Sequence, residues 1–134
     1  MRTLLLTVIT ASLTACHSDL APPAQRLAGT WSSTYSGAVV ELIAEDDTSG
    51  IYITDAPGTS MTAAAGRFTA TPTEVTFTND DESLCPDIAG RYEYAIMTGV
   101  IQFTLQHDEC DLRHRSMDDA WVRVFAPDPS TDVE

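Results

Sequence analysis

Two runs of alternating apolar and polar residues, separated only by Thr98 and Gly99, constrain the fold of this chain more than any other stretch. Residues 91–97 and 100–106 each alternate with a period of two, as half-buried strands do. A two-residue loop that contains glycine is typical of a tight β-hairpin. The two runs are therefore predicted to form an antiparallel pair in which Met97 lies opposite Val100.

The register of this hairpin follows from its short loop. One face is predicted to carry the pairs Ile96/Ile101, Tyr94/Phe103 and Tyr92/Leu105. The other face is predicted to carry Ala95/Gln102, Glu93/Thr104 and Arg91/Gln106. A shift by one residue would move charged side chains onto the apolar face, so the register is strongly specified.

Two of the three cysteines flank the hairpin. Continued beyond Arg91, the same pairing brings Cys85 and Cys110 towards each other at its open end. In an exported protein, two neighbouring cysteines are expected to be oxidised. A disulfide there would close a loop of about 25 residues and stabilise the fold by roughly 3–4 kcal/mol.

The remaining cysteine follows a short N-terminal leader. Met1-Arg2-Thr3 supplies a basic start, and residues 4–10 form an apolar segment too short to span a bilayer. The block Leu13-Thr14-Ala15-Cys16 resembles the lipobox of bacterial lipoproteins, which implies cleavage before Cys16 and lipidation of that residue. The alternative is an ordinary secretory signal that leaves Cys16 as a free thiol. Lipidation of Cys16 together with a bridge between the other two cysteines would account for all three.

The leader also bears on location and domain organisation. The lipobox resemblance implies attachment to a membrane in the bacterial cell envelope, and His17, in place of an aspartate, favours the outer membrane. The sequence is accordingly divided into a signal peptide (1–15), the lipidated cysteine with a flexible tether (16–26), one β-barrel domain (27–125) and a disordered acidic tail (126–134). The last nine residues carry two prolines and three acids.

The charge of the chain limits its partners. It contains no lysine and has a formal net charge of −13 at pH 7. Nucleic acid and anionic membrane surfaces are therefore poor partners for it.

Short alternating segments recur along the whole domain, with glycine, proline, aspartate or threonine between them. A turn of helix is expected near residues 26–28, and only residues 111–117 show a further helical pattern. Eight short strands joined mostly by hairpins indicate an all-β fold, an up-and-down antiparallel barrel, because closure removes the exposed edges of so small a sheet. A two-sheet sandwich is the alternative. The strands are predicted near residues 30–36, 38–44, 50–55, 64–70, 73–79, 90–97, 100–107 and 119–125.

Several motifs carry a resemblance to a known family. Gly29-Thr30-Trp31 resembles the G-x-W that opens the first strand of lipocalins and related calycins. The C-terminal half resembles small bacterial lipocalin-like proteins, which are often lipoproteins, although this chain is shorter than a full lipocalin and lacks a long C-terminal helix. The motifs of that half are Cys85, Gly90-Arg91-Tyr92, Asp108-x-Cys110-x-x-Arg113 and Trp121-Val122-Arg123.

The resemblance implies how one end of the barrel is closed. In lipocalins an arginine of the last strand lies over the G-x-W tryptophan. Trp31 and Arg123 occupy these motif positions, so they are expected to form a structural cation–π contact worth roughly 0.5–2 kcal/mol.

Metal and catalytic constellations are weak. His107, Cys110 and His114 lie close together in sequence, but their spacing matches no common zinc site, and Cys110 is expected to be in a disulfide. The acidic run 80–82 lacks the ligand spacing of a calcium loop. No nucleophile motif accompanies any of the three histidines. We therefore expect no metal, no cofactor and no enzymatic activity.

Two kinds of function remain. The first is a binding module that takes a small apolar molecule in or at the mouth of the barrel, away from the Trp31/Arg123 end. Its wall is expected to include Tyr52, Tyr92, Tyr94 and Phe103, since aromatic side chains provide apolar contact and hydroxyls orient a polar group. The second is a structural or protein-interaction module of the envelope with a filled barrel. All four aromatic residues would then be core.

Overall fold

The computed structural model describes residues 20–55, 62–80 and 84–125. Within them, eight strands form one closed antiparallel barrel, in which each strand pairs with the next and the last pairs with the first. The predicted all-β class and eight-stranded barrel are confirmed. The strands are β1 (Gly29–Ser33), β2 (Val39–Ala44), β3 (Ser49–Asp55), β4 (Thr62–Ala70), β5 (Glu74–Asn79), β6 (Ala89–Met97), β7 (Val100–His107) and β8 (Ala120–Arg123).

Two short helices complete the described part of the chain. Helix α1 (Pro23–Leu27) precedes β1, and helix α2 (Asp111–Met117) lies between β7 and β8, where the sequence pattern predicted a helix. Neither helix is long and apolar enough to cross a membrane. The predicted lipidation site and the C-terminal tail from residue 126 onwards lie outside the described residues.

The register of the β6–β7 hairpin is confirmed over most of its length. All pairs from Met97/Val100 to Tyr92/Leu105 are those predicted from the two-residue loop. The outermost prediction is wrong, because Arg91 pairs with His107 and not with Gln106. A register shift between Arg91 and Tyr92 leaves one extra residue on β7, as a β-bulge does.

The ends of the first strand also differ from the prediction. β1 stops at Ser33, because the Oγ of this residue accepts hydrogen bonds from the backbone N–H groups of Tyr35 and Ser36, at 3.2 and 3.1 Å, and so turns the chain. Helix α1 begins at Pro23, three residues before the predicted turn of helix. Proline suits the first position of a helix, where the backbone N–H needs no partner inside the helix.

The barrel has two ends of different construction. The α1 end carries helix α1 and the β2–β3, β4–β5 and β6–β7 connections. The α2 end carries the β1–β2 and β5–β6 connections and the segment that contains α2. Helix α1 covers its end of the barrel with Ala24 and Leu27, both fully buried, and the backbone N–H of Ala24 donates to the carbonyl oxygen of Asp47 at 3.0 Å.

Aromatic rings fill the middle of the barrel. Phe77 lies at the centre of this cluster, with its ring centroid 5.1 Å from that of Tyr52 and 5.9 Å from those of Tyr92 and Phe103. These are the distances at which aromatic pairs attract one another beyond the burial of their area. Among the described residues, these rings therefore fill much of the middle of the barrel.

Candidate functional site

A buried carboxylate organises the α2 end of the barrel. The side chain of Asp108, which follows β7 directly, is fully buried. Its Oδ2 accepts hydrogen bonds from the hydroxyl of Tyr92 and, at 2.6 Å, from Nε of Arg113. Its Oδ1 accepts from Nη2 of Arg113 at 2.8 Å and from the backbone N–H of Cys110 at 2.9 Å. Both oxygens are therefore held by donors, as a buried charge requires.

The guanidinium of Arg113 is the cation that pairs with Asp108, and its hydrogen bonds are made to other residues of the barrel. Its side chain is 6% exposed. Besides its two bonds to Asp108, it donates to the backbone oxygen of Ile88 at 2.6 Å and to Oδ1 of Asn79 at 2.9 Å. Because the contact with the carboxylate is bidentate, the positive charge is compensated in place.

Asn79, the last residue of β5, extends these contacts to the opposite side of the barrel. Its Oδ1 also accepts a hydrogen bond from the hydroxyl of Tyr52, and its Nδ2 donates to the backbone oxygen of Leu84. A continuous polar network therefore runs from Tyr92 in β6 to Tyr52 in β3.

The protonation states of this network are fixed at physiological pH. Burial opposes ionisation of Asp108, but the hydrogen bonds from Arg113 and Tyr92 outweigh it and hold the pKa of the carboxyl below its usual value. Burial, reinforced by the hydrogen bond to Asp108, raises the pKa of Tyr92, and burial also raises the pKa of Tyr52. Both hydroxyls therefore stay protonated and act as donors.

Gly90 leaves space for the network. A Cβ atom at this position would collide with the carboxylate of Asp108 and lie 2.8 Å from Nε of Arg113. The glycine and tyrosine of the Gly90-Arg91-Tyr92 block and the acid and arginine of the 108–113 motif thus meet in one cluster. These motif residues build the α2 end of the barrel.

The predicted Cys85–Cys110 disulfide is confirmed, with the two Cα atoms 5.8 Å apart. It ties the β5–β6 connection to the residue that precedes α2, and the Cys110 side of the bridge is buried. Within residues 20–55, 62–80 and 84–125, no group of three or more histidine, cysteine or acidic side chains is arranged to hold a metal ion. Asp81 and Glu82 of the acidic run lie outside those ranges.

A cavity of about 200 Å³ lies at the α2 end, beside this network. Most of its wall is apolar or aromatic, and a few polar side chains face it as well. The apolar part is formed by Ala38, Tyr52, Ala64, Phe77, Leu84, Leu112, Met117 and Trp121. The polar part is formed by Ser36, Thr54, Asp55, Asn79, Arg113 and Ser116, together with the Cys110 side of the disulfide.

Of the four aromatic residues predicted for a binding wall, one lines the cavity. Tyr52 lines the cavity. Tyr92 and Phe103 are fully buried in the aromatic cluster, and neither lines the cavity. Tyr94 points to the α1 end, where its hydroxyl donates to the backbone oxygen of Thr71 at 2.6 Å. Of the four predicted aromatic residues, only Tyr52 therefore lies in the wall of the cavity.

Trp31 and Arg123 meet at the α1 end, opposite the cavity. The guanidinium carbon of Arg123 lies 4.3 Å from the centroid of the buried Trp31 ring, and its Nη1 donates to the backbone oxygen of Ala28 at 3.1 Å. Gly29 adopts a φ of +139°, and a Cβ there would lie 2.5 Å from Nη1. The glycine of the G-x-W block is therefore required by the arginine that lies over the tryptophan.

Several residues of the site, Asp108 among them, were not assigned a role from the sequence. Arg113 and Trp121 belong to the motifs quoted above. The motifs singled out these two residues, but they did not indicate their contacts. Asn79 directly precedes the acidic run 80–82, which gives no indication of its contacts. The sequence carries no signal for Asp55, which is the last residue of β3 and lies at a register shift in the β3–β4 pairing.

No family model matches the chain, and neither a curated protein nor a solved structure matches it. The function of the α2 end is therefore inferred from its geometry.

Proposed function

We propose that this chain is an envelope-anchored, lipocalin-like lipoprotein that binds a small, largely apolar molecule in the cavity at the α2 end and catalyses no reaction. The observation that carries the proposal is the cavity of about 200 Å³ with its largely apolar wall. An apolar cavity of about 150 Å³ is large enough to hold benzene. The α2-end cavity accordingly has room for a molecule somewhat larger than a single aromatic ring.

The construction of the wall supports binding. Ligand sites are mostly apolar and contain a few fixed polar groups that orient the ligand. Here the polar residues Asn79 and Arg113 are held in place by the network with Asp108, and the bridge at Cys110 fixes the start of α2. A wall that is already ordered loses little conformational entropy when a ligand binds.

The anchoring part of the proposal rests on the Leu13-Thr14-Ala15-Cys16 block. Residues 17–22 separate the cysteine from α1 and reach at most about 20 Å when fully extended. Since α1 lies at the end opposite the cavity, an anchor at Cys16, in our proposal in the outer membrane, would leave the cavity facing away from the bilayer.

A pair of size-matched substitutions tests the binding function. Ala64→Phe fills the cavity, whereas Ala95→Phe places the same side chain on the exposed outer face of β6. Titration with para-xylene, followed by chemical shifts of the protein, is expected to be saturable for the natural chain and for Ala95→Phe, and absent for Ala64→Phe. Absence of saturable binding to the natural chain, or equal binding by both variants, would overturn the proposal.

A structural or protein-interaction module of the envelope is the second candidate. The packed cluster of Phe68, Phe77, Tyr92 and Phe103 favours it, because these rings fill the centre of the barrel. If para-xylene does not bind the natural chain, this becomes the function to pursue, and mass spectrometry of the protein purified from its own envelope should then show no bound small molecule.

A further inference from the structure

Two donors of the cavity wall share one acceptor, the side-chain amide oxygen of Asn79. Asn79, Tyr52 and Arg113 all line the cavity, and each is at most 7% exposed. Oδ1 of Asn79 accepts a hydrogen bond from the hydroxyl of Tyr52 and another, at 2.9 Å, from Nη1 of Arg113. Because an amide oxygen has two lone pairs, this acceptor has no capacity left for a ligand.

The sheet places the side chain of Tyr52 inside the barrel. Tyr52 pairs with Leu42 on β2 and with Gly66 on β4, and both of these residues are buried. Its hydroxyl reaches Asn79 at the end of β5, two strands away. The space that this hydroxyl occupies is therefore within hydrogen-bond reach of the amide oxygen of Asn79.

Other oxygen atoms of the wall are poorer acceptors for a buried ligand. Hydroxyl oxygens accept more weakly than an amide oxygen, and the hydroxyls of Thr54 and Ser116 already donate to backbone oxygens, at 3.3 and 2.9 Å. Asp55 occupies an outer-face position of β3, opposite Val39, whereas Tyr52 and Thr54 face inward. A ligand that brings an O–H or N–H group into the cavity would therefore lose hydrogen bonds to water without gaining an equivalent acceptor.

The buried lining group that lacks a partner is itself a donor. Trp121 is 1% exposed, and its indole Nε1–H finds no acceptor among the described residues. An indole N–H cannot accept a hydrogen bond, so it offers nothing to a donor on a ligand.

We infer that the cavity selects apolar molecules whose buried part carries no hydrogen-bond donor, and that Tyr52 is the residue that determines this specificity. Its hydroxyl occupies the amide oxygen of Asn79, which is the acceptor that a hydroxylated ligand would need. Hydrocarbons and halogenated hydrocarbons meet this requirement, whereas alcohols, phenols and amines of the same size do not. This inference rests on the proposed function, because it specifies which molecules the cavity binds.

Three para-substituted toluenes of similar size test this selection. Para-xylene carries a methyl group at the variable position, para-cresol carries a hydroxyl group, and para-fluorotoluene carries a fluorine atom, which cannot donate. Their Kd values for the full chain can be measured by calorimetry or by chemical shifts of the protein. The natural chain is expected to bind para-cresol at least about tenfold more weakly than para-xylene.

Tyr52→Phe removes the hydroxyl and frees one lone pair of Asn79 Oδ1. Para-cresol can then donate to this oxygen from the space that the hydroxyl leaves, so its affinity relative to para-xylene should rise about tenfold. The relative affinity of para-fluorotoluene should change by less than about twofold, because fluorine brings no donor. Tyr94→Phe is the matched control, since it removes a hydroxyl that donates to the backbone oxygen of Thr71 at the α1 end, and it should leave the relative affinities unchanged.

The outcomes distinguish this inference from the proposed function. If the natural chain binds para-cresol as tightly as para-xylene, the donor-free ligand class is wrong and the apolar binding function stands, and this comparison needs no variant. If folded Tyr52→Phe leaves the relative affinity of para-cresol unchanged, or strengthens para-cresol and para-fluorotoluene equally, the assignment to Tyr52 is overturned. An equal gain for para-cresol in Tyr94→Phe would overturn it as well. If none of the three probes binds the natural chain, both the inference and the proposed function fail.

Discussion

Among single residues, Asp108 shows most clearly how a charge can be placed inside a small barrel. Its carboxylate accepts hydrogen bonds from Arg113, Tyr92 and the backbone of Cys110, so the cost of removing it from water is offset by charged and neutral donors. The pair holds the β6–β7 region against α2 and leaves no uncompensated charge in the network. Removing one partner should therefore do more damage than removing both.

The first prediction concerns Asp108→Asn, which leaves the charge of Arg113 buried and unpaired. We expect a loss of about 3–5 kcal/mol in the free energy of unfolding at neutral pH. The pKa of Asp108 is depressed in the folded state, so its contribution is present above the unfolded pKa of about 3.9 and is lost as the pH falls through the lower folded pKa. The difference in stability between natural chain and variant should therefore shrink below about pH 4.

Urea denaturation at a series of pH values measures this difference. Glu93→Gln, which removes an exposed acid from the outer face of β6, serves as the control and should change stability little at any pH. A difference for Asp108→Asn that remains constant down to about pH 3 would contradict the assignment.

The second prediction concerns the closure at the α1 end. Trp31→Ala should destabilise the fold by about 3–5 kcal/mol, because the side chain is fully buried. Arg123→Ala should cost less, and the double variant should be less damaged than the sum of the two, because residues in contact are energetically coupled. Chemical denaturation of all three variants measures the coupling, and strict additivity would show that the contact contributes nothing.

Among the elements, the two helices do different work although both lie at barrel ends. α1 buries Ala24 and Leu27, and the carbonyl oxygen of Leu27 accepts a hydrogen bond from Nε1 of Trp31 at 2.9 Å. α2 directs Arg113 and Met117 inward, and both line the cavity. Helix α1 therefore fills its end of the barrel, whereas helix α2 forms part of the cavity wall at the other end.

The third prediction tests the bridge that holds α2 in place. Cys85→Ala/Cys110→Ala should lower the free energy of unfolding by about 2–5 kcal/mol, because it frees a loop closed across a sequence separation of 25 residues. Denaturation with and without reductant measures the effect. The reductant should reproduce most of the loss in the natural chain and leave the double variant unchanged.

Thiol titration provides a second check. The chain from residue 17 onwards, produced in the periplasm and unfolded without reductant, should show no free thiol. Two titratable thiols per chain would contradict the bridge.

At the scale of the whole molecule, the barrel is filled at its centre and hollow at one end. Phe68, Phe77 and Phe103 are each at most 1% exposed, whereas Leu84 and Leu112, which line the cavity, are more than half exposed. A barrel of eight strands has an interior just wide enough to be filled by side chains or to hold one small ligand. In this barrel, side chains fill the centre, and the cavity at the α2 end has room for one small ligand.

The fourth prediction concerns attachment of the whole molecule to a membrane. Labelled fatty acid should be incorporated into the chain in a bacterial host and should be lost in Cys16→Ala, because the thiol of Cys16 is the proposed acceptor. Gel fluorography of the purified proteins measures the incorporation. Equal labelling of both proteins, or labelling of neither, would remove the proposal of a lipid anchor.

The sequence by itself determined the strands, most of the hairpin register, the disulfide and α2. All of these depend on local signals: a period of two, a glycine-containing loop of two residues, and a spacing of cysteines that the hairpin converts into proximity. The register prediction failed only at Arg91, where a bulge adds one residue to β7. The alternation of apolar and polar residues does not predict such a bulge.

The tertiary structure alone decided where the cavity lies and which side chains line it. Alternation shows which face of a strand is inward, but it does not show how far along the barrel axis a side chain lies. Tyr94 and Tyr52 are both inward and aromatic, yet one is held at the α1 end and the other lines the cavity. The contact between Arg113 and Asn79 joins residues that are 34 positions apart in sequence, and the cavity is the space left by side chains of several strands and a helix. Such a volume is set by the packing of the whole barrel, because no single segment encloses it.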